Sequence, residues 1–69
     1  MQLYYENNGT NFTAKVVLTP ERQYKATKFY SHDQKVLIDR MPRPYKTLWR
    51  LLKAADERGI FVNAASAGI

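Results

Sequence analysis

No cysteine occurs in this chain, so no disulfide can staple it and the thiolate ligand sets of structural zinc are excluded. Glycine is nearly as scarce. Gly9, Gly59 and Gly68 stand too far apart to form a phosphate-cradling loop. The single histidine, His32, lies in the consecutive run Ser31-His32-Asp33, whereas a catalytic triad converges from separated positions. Asp33 and Asp39 show no spacing that demands a paired-carboxylate site, and no metal-ligand pattern is present. The expectation is therefore a protein that is not an enzyme and carries no metal or cofactor.

Long apolar runs are also lacking. Nothing approaches the ~20 residues of a membrane span, and Met1–Glu6 does not read as a positive region leading into an apolar secretory core. These absences predict a soluble, cytoplasmic protein that does not engage a membrane. The sequons Asn8-Gly9-Thr10 and Asn11-Phe12-Thr13 then read as coincidences.

A length of 69 residues allows one domain, taken here as 1–63 with a flexible tail at 64–69. A domain this small buries only about 60% of the surface its unfolded chain exposes. Disulfides and zinc being excluded, a second copy is the common aid that remains, so a homodimer is one expectation.

Positive charge, by contrast, is abundant. Eleven Lys and Arg against six Asp and Glu give a net charge of +5. Ten of the basic residues fall between Lys15 and Lys53, where only Glu21, Asp33 and Asp39 oppose them, so the middle of the chain is +7 and each end is −1. A field of that sign attracts nucleic acid, acidic protein surfaces or anionic lipid.

The patterning predicts an α+β fold, a small antiparallel sheet of three to four strands packed by one C-terminal amphipathic helix. Gln2–Glu6 is aromatic and strand-like, Asn8-Gly9 has the chemistry of a tight hairpin turn, and Asn11–Leu18 alternates with Phe12, Ala14, Val16 and Leu18 on one face. Residues 20–30 read two ways. Thr19-Pro20-Glu21 resembles a helix start, but a turn over Thr19–Arg22 followed by a strand over Gln23–Tyr30 is favoured. Ser31–Gln34 would then turn the chain and Lys35–Ile38 would return beside that strand. Met41-Pro42-Arg43-Pro44 is a stiff connector, Pro44 to Arg58 the helix, Gly59 its left-handed cap, and Ile60–Val62 a short strand or clasp.

At ~100° per residue, Arg43, Lys46, Arg50 and Lys53 share one helical stripe of roughly 80°. Tyr45, Leu48, Leu52 and Ala55 lie opposite, and Trp49 falls at the seam. Cations near a helix N-terminus oppose the macrodipole, so Arg43 and Lys46 are not explained by helix stability. An ordinary solvated face, with Lys53 pairing to Glu57, is the competing explanation. Aromatics interleave with cations at Tyr24-Lys25, Lys28-Phe29-Tyr30, Tyr45-Lys46 and Trp49-Arg50, as stacking surfaces with adjacent phosphate contacts require. Lys25, Lys28, Arg43, Lys46, Trp49, Arg50 and Lys53 are accordingly the candidate binding residues.

In element order alone, the sheet followed by one helix resembles the small DNA-binding domains at the N-terminus of phage integrases. That resemblance implies a sheet that enters the major groove. Size, the lack of cysteine and the lack of an enzyme signature also look like the small accessory proteins of phages and mobile elements, which often inhibit host machinery such as CRISPR ribonucleoproteins by binding them. Two functions follow as expectations. One is a nucleic-acid-binding regulator; the other is an inhibitor or adaptor that docks Trp49, Tyr45 and the flanking arginines on an acidic protein or ribonucleoprotein surface.

Overall fold

Asn8 and Gly9 both take positive φ, 52° and 80°, the conformation a two-residue hairpin turn needs. They join β1 (Gln2–Asn7) to β2 (Thr10–Leu18) in antiparallel register from Gln2 opposite Lys15 to Asn7 opposite Thr10. The computed structural model describes residues 1–33 and 36–63, and the expected tail at 64–69 lies outside them, as do Gln34 and Lys35.

The next hairpin has a three-residue loop, Pro20-Glu21-Arg22. Thr19 N–H donates to Gln23 O at 2.7 Å, and Arg22 N–H donates to Thr19 O at 2.8 Å. Arg22 has φ 61°, the left-handed position of this loop type that glycine usually fills. Left-handed backbone costs a side-chain-bearing residue roughly 1–2 kcal/mol, part of which a glycine's unfolded-state entropy cancels. Arg22→Gly is therefore expected to stabilise the fold by about 0.5–1 kcal/mol. A urea midpoint that stays put or falls contradicts this.

The strand expected over Gln23–Tyr30 is divided into β3 (Tyr24–Ala26) and β4 (Phe29–Ser31), both paired antiparallel to β2. Ala26 lies opposite Val16, but Tyr30 lies opposite Thr13, so this side carries one more residue than β2 does. That is a β-bulge. Thr27 N–H donates to Lys15 O at 2.8 Å, and the Thr27 hydroxyl replaces the missing carbonyl by accepting from Lys15 N–H at 2.9 Å. An unbroken period of two would bury Lys28 beside Ala26. The extra residue turns Lys28 outward and buries Phe29.

Leu37–Ile38 (β5) pairs with β4, and Phe61–Val62 (β6) returns antiparallel to β1. The sheet thus has six strands in the order β5-β4-β2-β1-β6, with β3 also on β2, rather than three or four. The bulge accounts for one extra strand and the two-residue β6 for another. Leu18, expected on the buried face, is 55% exposed because it ends β2 where the chain leaves for the loop.

The helix, α1, spans Leu48–Glu57 and precedes β6. Its expected start at Pro44 is corrected by two features. Tyr45 is extended, exchanging both backbone hydrogen bonds with Tyr24 at 2.7 and 2.8 Å. Thr47 is the N-cap, its hydroxyl accepting from Arg50 N–H at 3.2 Å. The C-terminus closes as expected at Gly59, with φ 71°. Ile60 N–H donates to Ala55 O and Gly59 N–H to Asp56 O, the paired bonds of a Schellman motif.

One cluster of buried side chains unites the strands and the helix: Leu3, Tyr5, Phe12, Ala14, Val16, Ala26, Phe29, Met41, Leu51, Ala54, Ala55 and Ile60. At its centre the Tyr5 ring stacks on Phe12 at 5.0 Å and meets Phe29 edge-on at 5.3 Å. No helix among the described residues is long and apolar enough to cross a membrane.

Candidate binding groove

Two anchors fix the connector that leads into α1. Met41 is buried in the core, and Tyr45 is bonded to the backbone of Tyr24 on β3. Arg43 lies between them on a segment that Pro42 and Pro44 stiffen. From Tyr45 the chain passes through Lys46 to the Thr47 cap. The first two turns of α1 then add Trp49, Arg50 and Lys53.

These residues line one open groove of about 500 Å³ together with Gln23, Pro44, Tyr45, Ala54 and Glu57. Five of the seven expected site residues, Arg43, Lys46, Trp49, Arg50 and Lys53, thus come together, although Arg43 and Lys46 reach the groove from the connector rather than from the helix. Lys25 and Lys28 are absent from its lining. Lys25 lies on β3 opposite Val17, with its Nζ donating to Ala26 O at 3.3 Å, and Lys28 projects from the bulge.

Trp49 is 68% exposed, the most exposed of the large hydrophobic side chains among the described residues. An indole left in water at the seam of a helix with buried Leu51, Ala54 and Ala55 adds nothing to the core. Lys53 sits one turn further on, with its Nζ 5.2 Å from the Trp49 ring centroid. The attraction is that of a cation to a π face, about 0.5–1 kcal/mol at an exposed site. Lys53 does not form the pair with Glu57 that an ordinary solvated face would offer, and among the described residues no ion pair involves Arg43, Lys46, Arg50 or Lys53.

The helix charge pattern adds to this local excess. No acid occupies the first turn of α1 and no base its last, so its formal charges oppose the macrodipole at both ends. Arg58 offsets the second deficit by donating from its guanidinium to Ala54 O at 2.9 Å. At the first, the Thr47 hydroxyl accepts from Arg50 N–H, but no carboxylate among the described residues lies in that turn. Arg50 stands at the third helical position, where Glu or Gln would complete a capping box with Thr47.

Other cations of the middle stretch have structural work. The Arg40 guanidinium lies 4.5 Å from the centroid of the Tyr5 ring, covering the core aromatic cluster. Gln23 had no local signal as a groove residue, since it reaches the groove only through the Tyr24–Tyr45 pairing of segments 21 positions apart.

Comparison of the chain with protein families, with curated proteins and with solved structures returns no match. The functional reading therefore rests on the chemistry of the groove and of the surfaces around it.

Proposed function

We propose that this chain is a non-enzymatic nucleic-acid-binding module whose groove beside α1 holds the phosphates of duplex or single strand on Arg43, Lys46, Arg50 and Lys53, with Trp49 stacking on a base where one is unpaired. The observation that carries the reading is the convergence of four cations, without ion-pair partners among the described residues, around an exposed indole. Clustering like charges is unfavourable in the free protein, and a polyanion relieves it. The two arginines suit phosphate because the guanidinium fork can bind its oxygens bidentately. A regulator or accessory protein of the kind found in phages and mobile elements fits the small size and the lack of catalytic chemistry.

The exposure of Trp49 also favours a second reading, an inhibitor or adaptor docking on an acidic protein surface, because Trp, Tyr and Arg dominate protein hot spots. Salt dependence separates the two. Trp49 is the only tryptophan, so its fluorescence reports the groove alone. Titration with mixed-sequence single-stranded and duplex DNA at about 50 mM salt is expected to quench it. Neutralising four phosphates of a single strand gives a log–log salt slope near −3, about a fiftyfold loss of affinity between roughly 50 and 200 mM salt. No quenching by either nucleic acid, together with salt-tolerant capture of one acidic protein, would replace this reading with the second.

A further inference from the structure

Residues directly opposite one another in neighbouring strands project from the same face of a sheet. The pairs Phe61–Tyr4, Tyr4–Thr13, Thr13–Tyr30 and Tyr30–Leu37 therefore make one continuous row across β6, β1, β2, β4 and β5. Leu3, Tyr5, Phe12, Ala14 and Phe29, which flank the row along the strands, are buried in the core. The row thus lies on the opposite, outer face. Tyr4 is 38% and Phe61 48% exposed, and their rings meet at 6.1 Å. Further along, Tyr30 packs edge-on against His32 at 5.1 Å. Two aromatic stations result, carried on β1 and β4, whose backbones run about 10 Å apart on either side of β2.

The charge around the row selects the occupant. Lys15 shares the face of Thr13 on β2, Lys25 lies opposite the outward Val17, and the bulge turns Lys28 out beside them. Glu6 is the one acid on any described strand. A second copy docked face to face would bring two sets of these lysines together, and an apolar peptide would leave the ammonium groups unanswered. Duplex DNA keeps the faces of its bases stacked inside the helix. A single strand offers both what the rings and what the lysines require, since unpaired bases stack on aromatic rings while phosphates lie against cations.

We infer that the outer face of the sheet is a second binding surface, a stacking platform for single-stranded nucleic acid on which Tyr4, Phe61 and Tyr30 take bases and Lys15 and Lys28 take phosphates. It lies across the core from α1 and shares no residue with the groove lining. The surface stands on its own observations and does not require the groove to bind nucleic acid.

The test is fluorescence anisotropy with a labelled thymidine oligomer of about fifteen nucleotides, within the span single-strand binders cover. Tyr4→Leu combined with Phe61→Leu keeps apolar bulk on exposed strand positions while removing the π faces. Affinity is expected to fall at least tenfold with the melting temperature unchanged, and Tyr30→Leu, at the other station, to weaken binding independently. Lys46→Glu combined with Arg50→Glu, which disables the groove, is expected to retain oligomer binding that the leucine substitutions then remove. Unchanged affinity in both leucine variants, or no binding by the groove-disabled protein, overturns the platform. So does a parent dimer in sedimentation that the leucine substitutions dissociate, which would make a second copy the occupant. Duplex affinity is read in parallel: a groove-disabled variant that binds duplex as the parent does contradicts the groove and leaves the platform standing.

Discussion

Phe29→Ala is expected to abolish the cooperative thermal transition of this protein. Phe29 is fully buried, meets Tyr5 edge-on at 5.3 Å, and belongs to the single cluster that joins the strands to α1. Truncating a buried phenylalanine to alanine costs roughly 3–5 kcal/mol in lost transfer energy and residual cavity. For 69 residues, the usual stability per residue gives a total of only about 3–10 kcal/mol, so one substitution removes from about a third to all of it. Phe29→Leu, which keeps most of the volume, is the control and should melt cooperatively at a lower temperature. Circular dichroism on heating and in urea reads both. A Phe29→Ala variant that melts within a few degrees of the parent would show that the cluster does not hold the fold together.

Phe29 also shows where the sequence was hard to read. Ala26 and Phe29 are both inward although they are three residues apart, and a strand of period two puts such residues on opposite faces. The same spacing suits a helix over residues 20–30, because positions three apart share a helical face. The bulge reconciles them, and its local sign is Thr27, whose hydroxyl takes over from the missing carbonyl. Asn8-Gly9 and Gly59 were legible because each needs a backbone conformation that few residues supply. Pro44 reads in the sequence as the helix start, whereas the N-cap in the structure is Thr47. The choice was made by the long-range bridge between Tyr45 and Tyr24.

The groove divides in the same way. Lys46, Trp49, Arg50 and Lys53 are close in sequence, and even a misplaced helix start leaves them neighbours. Lys25 and Lys28 share with them only charge and aromatic neighbours, which do not say on which side of a sheet a residue falls. β-pairing decides that, setting Lys25 opposite the outward Val17 and leaving Lys28 exposed at the bulge. The platform itself has no linear signature because its members come from four strands and the bulge between β3 and β4.

Arg50→Glu is expected to do two opposite things. Arg50 occupies the third position of α1, three residues after the Thr47 cap, and a carboxylate placed there can reach back to the cap's backbone N–H while favouring the positive end of the helix. The added stability is about 0.5–1 kcal/mol, which for a domain of this size raises the melting temperature by roughly 3–8 °C. Binding moves the other way. The groove loses a guanidinium and gains a second acid in addition to Glu57, so both phosphate contact and the local field decline. Duplex affinity measured through Trp49 fluorescence should fall at least tenfold at about 50 mM salt, with the log–log salt slope shallower by roughly one. A variant that is more stable and binds more weakly separates the two roles at one position, because damage to the fold would lower both together. Unaltered affinity in a stabilised variant would instead make Arg50 a solvated surface residue and remove the centre of the proposed site.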